Sequence, residues 1–236
     1  MKNNVTKIKK ADPLLSGFYT VRDASRLFKI DSQRKIRGWL DGHANSASPP
    51  VIERTHNQLG KINEISFLDL MEIRFINYYR QRDIPLQTLR VAAQAAREEL
   101  KTTHPFALSG IRFMNERKKI FLETADELGD KKLLNLVTKQ FQIYQVIEQI
   151  LELGVEFDDD GMAKQFFPNR ELAPNVYLNP HFAFGQPVVG DGAVPTSAIF
   201  KTYQAEEGNI KKVSTWYDVP EAHIIEAIRF EASLAT

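Results

Sequence analysis

The sequence predicts a mostly α-helical protein with small β-hairpins. Apolar residues recur every three or four positions in several segments, each preceded by a serine, threonine, asparagine or aspartate that can cap a helix. Segments that alternate apolar and polar residues are short and surround turn-forming residues. With 236 residues, 43% of them hydrophobic, the chain can bury one large core or two small ones.

Two short helices are predicted near the amino terminus. Thr20, followed by Asp23 three residues later, is typical of a helix start, and a helix of about eight residues fits here. A second helix is expected over Ser32–Leu40, capped by Asp31. Because the turn between them is so short, the pair fits a helix-turn-helix.

A β-hairpin and two longer helices are predicted next. Residues 51–65 alternate around a polar turn and indicate the hairpin. Ser66, with Asp69 at the third helical position, begins a third helix. A fourth spans Leu86–Leu100, with Pro85 in its first turn, where a missing N–H costs least.

The middle of the chain predicts two more hairpins and the longest helix. The hairpins cover residues 111–123 and 155–167, the second turning at Asp158–Gly161. The helix covers Lys131–Glu152, and its apolar stripe can pack on its own domain or against a second copy of the chain.

The last segment predicts short strands followed by three helices. The strands are Val176–Leu178 and Phe184–Val189, and Gly190–Gly192 is a hairpin turn rather than a phosphate-binding loop. The helices begin, in order, at Thr196, at Asn209 and at Asp218–Glu221, and the third runs toward Leu234.

The net charge of +1 conceals a division of the chain. Residues 1–123 carry a net charge of +9 and residues 124–236 a net charge of −8. A basic first half is expected of a protein that meets a polyanion such as DNA, although chance clustering of solvated side chains would give the same counts.

The composition also excludes several kinds of site and of membrane segment. Without cysteine there are no disulfides, thiolate metal sites or cysteine nucleophiles. No apolar run approaches the ~18 residues of a membrane span, and the first residues lack a secretion signal, so we expect a soluble cytoplasmic protein with no membrane contact.

No enzyme is predicted, and no cofactor or metal. Asp158–Asp160 fits a solvated turn better than a metal site, because three consecutive carboxylates in an extended strand cannot converge on one ion. His104 and His181 are single histidines, interpreted as structural. No serine nucleophile motif is present.

The second helix carries the candidate DNA contacts. If Ile36 faces the core, Arg34, Lys35 and Arg37 point outward, as in a helix that enters the major groove. The alternative is a basic helix face that only meets solvent, and the 51–65 hairpin is either a DNA-contacting wing or an edge hairpin. The predicted DNA-binding residues are Thr20, Arg22, Ser32, Gln33, Arg34, Lys35, Arg37, Arg54, His56 and Lys61.

Several of these segments resemble a known family. Tyr19-Thr20-Val21, Ile36-Arg37-Gly38-Trp39, residues 66–76 and Ile84-Pro85-Leu86-Gln87-Thr88-Leu89-Arg90 look like the MerR-type winged helix-turn-helix. The resemblance implies that the two helices after the hairpin complete a DNA-binding module.

The carboxyl-terminal segment resembles a second family. Leu178-Asn179-Pro180, residues 184–189, Val194-Pro195-Thr196 and residues 213–228 are similar to the domain of unknown function 433 family. Together the two resemblances, over about residues 16–233, look like the VapB-type antitoxins of that family.

This resemblance implies a DNA-binding antitoxin that represses its own operon and neutralises a PIN-like ribonuclease toxin. It implies four regions: a flexible tail (1–15), a MerR-like DNA-binding domain (16–104), a hairpin and long-helix region for linking and dimerisation (105–171), and a domain of unknown function 433-like module (172–236). We expect a homodimer on double-stranded operator DNA, since one helix pair reads too little DNA for specific binding.

The acidic second half offers candidate contacts for a toxin partner. The residues are Phe184, Val188, Tyr203, Trp216 and Tyr217. Trp216 and Tyr217 are either core residues or a partner-binding hot spot. Two other functions stay open: a MerR-like regulator that senses a small molecule, and an interaction scaffold that never meets DNA.

Overall fold

The computed structural model describes residues 16–42, 49–55, 64–108, 129 and 153–235, and for Glu99 the backbone alone. Within these ranges the protein is mostly helical with two small antiparallel sheets, as predicted. The helices are α1 (Val21–Leu27), α2 (Gln33–Asp41), α3 (Phe67–Arg80), α4 (Leu86–Leu100), α5 (Thr196–Ala205), α6 (Ile210–Tyr217) and α7 (Glu221–Leu234), with 3₁₀ turns at Pro105–Ala107 and Ala183–Gly185.

The strands form two separate sheets. The strands are β1 (Val155–Phe157), β2 (Ala163–Phe166), β3 (Val176–Tyr177), β4 (Val188–Val189) and β5 (Val194–Pro195). Strands β1 and β2 pair around the predicted Asp158–Gly161 turn, and β3, β4 and β5 pair in that order, with the predicted Gly190–Gly192 turn between the last two.

Local capping explains where the first helix begins. Thr20 accepts a hydrogen bond from the Asp23 N–H (3.1 Å) and Asp23 accepts one from the Thr20 N–H (2.9 Å), which is the predicted capping box. The prediction that Asp31 caps α2 is wrong by one residue: Ser32 is the N-cap, and Asp31 instead accepts a hydrogen bond from Lys35 (3.1 Å).

The described ends of the predicted 51–65 hairpin contact other parts of the chain. Val51 and Ile52 form a bend, and both donate their N–H to the Trp39 carbonyl at the end of α2 (2.9 and 3.1 Å). Ile65 forms an isolated antiparallel bridge with Tyr19. The expected pairing of these two ends with each other is therefore replaced by contacts that flank the helix pair, and residues 56–63 lie outside the described ranges.

The third and fourth helices follow the prediction closely. Ser66 and Asp69 form a second capping box at the start of α3. Pro85 is the N-cap of α4 rather than a residue of its first turn. A proline at either position costs the helix no hydrogen bond, because the first N–H groups have no partner within the helix.

Three predictions in the carboxyl-terminal segment need correction. Of the expected strand Phe184–Val189, only β4 is extended, because residues 183–185 form a left-handed turn. Thr196 is the first residue of α5, not its cap, and its buried hydroxyl donates to Glu231 (2.6 Å). Asp218 ends α6, and Pro220 is the N-cap of α7, whereas Asn209 caps α6 as predicted.

Two hydrophobic clusters organise the described residues. The larger includes α3 together with Ile36, Trp39 and Phe106, and extends to Phe166 and Leu178. The smaller one lies among α5, α6, α7 and the three-stranded sheet. Leu27 packs against both clusters, so the end of α1 connects them. No helix in the described ranges has the length and apolarity needed to cross a membrane.

Three predicted segments lie outside the described residues. These are the tail of residues 1–15, the hairpin of residues 111–123 and the long helix Lys131–Glu152. The dimerisation argument that depends on the long helix stays a prediction.

A buried polar cluster lies beneath α3. The Asp69 carboxylate is fully buried and contacts His104 Nε2 at 2.7 Å, and Glu72, also fully buried, accepts a hydrogen bond from the Phe106 N–H (3.1 Å). Burial raises the pKa of Glu72 to about 7. Although burial opposes it, the hydrogen bond to Asp69 raises the pKa of His104.

We expect the free energy of unfolding to fall as the pH rises from about 5 to about 8. The ordinary pKa of a glutamate is 4.5, whereas that of folded Glu72 is about 7. Between these two pH values the folded protein therefore binds more protons than the unfolded chain, and it loses stability as the pH rises. The raised pKa of His104 extends the loss above 6.5. Thermal or urea unfolding across this range measures the slope.

The matched variants for this slope are Glu72→Gln and Glu98→Gln. The amide oxygen of the introduced glutamine can still accept from Phe106, so Glu72→Gln should raise the free energy of unfolding at pH 8 by about 2 kcal/mol and flatten the slope. Glu98 is exposed on α4, and its replacement should leave the slope unchanged. A Glu72→Gln slope equal to that of the wild type would exclude Glu72 as the source.

Candidate nucleic-acid interface

Helix α2 has one buried face and one cationic face. Ile36, Trp39 and Leu40 are at most 4% exposed and anchor the helix in the larger core. The exposed residues of the helix are Gln33, Arg34, Lys35, Arg37 and Asp41. Three of the five are cations, so an array of positive charge is mounted on a rigid, packed element.

The cations on this face differ in their freedom to contact a ligand. Lys35 forms an exposed ion pair with Asp31 (3.1 Å), and the hydrogen bond from Lys35 lowers the pKa of Asp31. Among the described residues, Arg34 and Arg37 have no hydrogen bond or ion pair within the chain. Their guanidinium groups are therefore available to bind a polyanion at low desolvation cost.

The remaining candidates at the start of each helix have different roles. The Thr20 hydroxyl donates to Asp23 (2.7 Å), so it serves the α1 cap. Arg22 is exposed on the first turn of α1. Ser32 is half-buried at the N-cap of α2 and makes no side-chain capping bond, which leaves its hydroxyl beside the exposed Gln33.

Of the three candidates from the expected wing, the structure describes Arg54 alone, and it is buried. Arg54 was expected to contact phosphate, but its side chain is 5% exposed and pairs with Asp41 at the end of α2 (2.9 Å). The guanidinium therefore braces the residues after α2 from within the protein. His56 and Lys61 lie outside the described residues.

Sequence reasoning missed two cations, one on α1 and one in the turn after it, that contact the last turn of α7. Arg26 donates to the Leu234 carbonyl (3.1 Å), and Lys29 donates to the Ser233 carbonyl. Both cations meet the last turn of α7, where the helix dipole is negative. With Arg22 and Gln33 they line an open groove of about 630 Å³ beside the start of α2. No local signal could reveal contacts across some 200 residues.

The five candidate partner-binding residues differ in exposure: one is buried, two are half-buried and two are exposed. Val188 is fully buried in β4, so it is a core residue and not a surface contact. Tyr203 and Tyr217 are half-buried, and the Tyr217 hydroxyl lies 2.8 Å from that of Thr202. Phe184 and Trp216 are 58% and 60% exposed, so these two alone of the five present large apolar surface to solvent.

Comparison with known proteins shows a distant likeness. No family model matches the chain. It is 22% identical over 202 residues to a protein of Mycobacterium tuberculosis (strain ATCC 25618 / H37Rv) named "Putative antitoxin VapB45", with 79% of this chain and 82% of that protein covered. The fold is similar to the crystal structure of Rv2018 from Mycobacterium tuberculosis, with a TM-score of 0.65 and 20% identity over 89% of this chain and 96% of that chain.

Proposed function

We propose that this protein is the antitoxin of a type II toxin–antitoxin system. In this role the exposed face of α2 binds operator DNA as part of a MerR-like module, and the acidic second half binds and neutralises a PIN-like ribonuclease toxin. DNA binding at the operon's own promoter represses its transcription. The observation that carries the proposal is the exposed cationic face of α2, on which Arg34 and Arg37 have no partner among the described residues, and which a buried apolar face holds in place.

Charge and geometry support the DNA-binding part. Arginine matches the O6 and N7 of guanine with two hydrogen bonds, and Arg34 and Arg37 are the described cations of α2 without an internal partner. In this proposal, Arg22, exposed at the start of α1, and Ser32, at the start of α2, contact the phosphate backbone. A two-fold dimer would present two such helices to adjacent half-sites.

The toxin-binding part is supported by the distant relative and by charge. The relative carries the name of an antitoxin. Residues 153–236 contain twelve acidic and six basic side chains, which suits a partner whose surface is basic because it handles RNA. Complementary charge speeds such an encounter.

The test of DNA binding is the double variant Arg34→Ala/Arg37→Ala. On a duplex carrying the region upstream of its own gene, we expect an affinity loss of about 100-fold and a smaller dependence of log K on log salt. Titrations at several salt concentrations measure both quantities. The slope should fall by about 1 for each phosphate group that the variant no longer neutralises.

Arg229→Ala/Lys201→Ala is the matched control, because it also removes two positive charges, from exposed positions on α7 and α5. It should leave both affinity and slope close to the wild type. If Arg34→Ala/Arg37→Ala and the wild type have equal affinity and equal slope, α2 does not bind DNA. Wild-type protein that shifts no duplex at low salt would favour a scaffold that does not bind DNA.

A further inference from the structure

Two groups of aromatic rings lie beside the turn of residues 183–185, and we call them together the aromatic surface. Phe167, Tyr177 and Phe182 form one group, and Phe18 and Phe184 form the other. Phe182 and Phe184 are 44% and 58% exposed. Ring centroids lie 5.7 Å apart for Phe167 and Tyr177, 6.3 Å for Tyr177 and Phe182, and 6.4 Å for Phe18 and Phe184.

The turn that displays Phe184 has a strained backbone conformation. Ala183, Phe184 and Gly185 all have positive φ, at 45°, 55° and 87°. A bulky residue such as Phe is disfavoured in this region because its Cβ crowds the backbone. The ring that this conformation displays remains mostly in water, so the core gains little from it.

The neighbouring segment holds the turn in place. The Tyr19 hydroxyl donates to the Gly185 carbonyl (2.6 Å), and the Phe18 N–H donates to the Phe184 carbonyl (2.9 Å). Both donors come from the segment just before α1. The exposed ring is therefore presented by a fixed turn, and such pre-organisation lowers the entropy cost of binding.

The chemistry around the rings indicates what they bind. The Arg170 guanidinium already lies 4.0 Å from the centroid of Phe167, so the chain itself places a cation on this surface. Asp191 acts electrostatically on Tyr177: burial, and then the Asp191 carboxylate, raises the pKa of the tyrosine. Aromatic faces in an acidic region attract arginine and lysine from a partner.

We propose that the aromatic surface is a docking site for a basic protein surface, whose arginine or lysine side chains stack on Phe182 and Phe184. This inference rests on the proposed function, in which that partner is the toxin. It assigns toxin binding to the β3–β4 connection instead of to α6.

Among the described residues, Trp216 on α6 is the other aromatic residue that is more than half exposed, and it serves as a comparison. Its ring already has Lys212 of the same helix at 5.2 Å, and it extends from regular helical backbone. Its backbone has no positive φ and therefore no strain of the kind seen at Phe184. Its exposed fraction is close to that of Phe184, so the two residues differ mainly in how the chain displays them.

The experiment measures binding of the full chain to the purified protein encoded by the adjacent open reading frame, by isothermal titration calorimetry. Phe184→Gly removes the ring and suits the positive φ, so the variant should fold with an unchanged or higher melting temperature. We expect it to weaken binding about tenfold or more, as for a hot-spot residue. Phe184→Tyr should bind like the wild type, and Trp216→Ala should change affinity less than about threefold.

The outcomes separate this inference from the proposed function. If the wild type binds and Phe184→Gly binds equally well, or only Trp216→Ala loses affinity, the aromatic surface is not the docking site, while the antitoxin function stands. If the wild type does not bind the neighbouring protein, the proposed function fails and this inference fails with it. A change of oligomeric state in Phe184→Gly, seen by sedimentation, would instead assign the surface to a second copy of the chain and overturn the proposal.

Discussion

Replacing Asp69 with alanine should destabilise the protein by about 3–5 kcal/mol. The carboxylate is fully buried and accepts hydrogen bonds from the Ser66 N–H (2.9 Å) and the Thr55 N–H (3.3 Å), and it contacts His104 Nε2 at 2.7 Å. Burial opposes its charge, yet His104 and the hydrogen bonds from Ser66 hold the pKa of Asp69 below its ordinary value. Without it, a buried histidine and two backbone donors lose their acceptor.

The size of this effect is large against the whole stability of a domain, which is about 5–15 kcal/mol. Denaturant unfolding near pH 6 measures it. Because the lowered pKa of Asp69 contributes stability above its ordinary value of 3.8, the wild type should lose that contribution on acidification, and the variant should have none to lose.

Asp23→Ala is a close control for Asp69→Ala. Asp23 occupies the same position of a capping box at the start of α1, but it is only half-buried and has no histidine partner. Its loss should cost about 1 kcal/mol, the ordinary value of a helix cap. If the two variants were equally destabilised, the contacts of Asp69 with Thr55 and His104 would add nothing to the cap.

The comparison of Asp23 and Asp69 also shows what the sequence can predict. Both capping boxes depend on residues three apart, so local spacing predicts both. The division of α2 into a buried face and an exposed cationic face follows from the 100° rotation per residue, with Ile36 inward and Arg34 outward. Short-range geometry is enough for features of this kind.

Features that depend on distant contacts cannot be predicted in this way. The Asp69–His104 pair joins residues 35 apart, and the Tyr19–Gly185 bond joins residues 166 apart. The apolar residues from Phe184 to Val189 suggest a strand, but contacts with Phe18 and Tyr19 hold the first of them in a left-handed turn. Arg54 is expected on the surface for the same reason, because local spacing does not reveal that its side chain is buried and pairs with Asp41.

Gly185→Ala should destabilise the protein by about 3 kcal/mol. A Cβ at this position would lie 2.5 Å from Tyr19 Oη, 2.9 Å from Tyr19 Cζ and 3.1 Å from the Gly17 Cα. The φ of 87° adds backbone strain for any residue with a side chain. Since the Tyr19 hydroxyl also bonds the Gly185 carbonyl, the added methyl group should force apart the carboxyl-terminal turn and the segment before α1.

Gly192→Ala is the matched control, because its φ is not in the left-handed region and a Cβ there would lie 3.7 Å from Val194, an ordinary contact. Its free energy of unfolding should stay within about 0.5 kcal/mol of the wild type. Gly185→Ala should cost less in a Tyr19→Phe background, since the closest clashing atom is then absent, and a double-mutant cycle measures that coupling. If the losses of unfolding free energy were strictly additive, the Tyr19 hydroxyl and Gly185 would not interact. The segment before α1 and the β3–β4 connection would then not be joined by this contact.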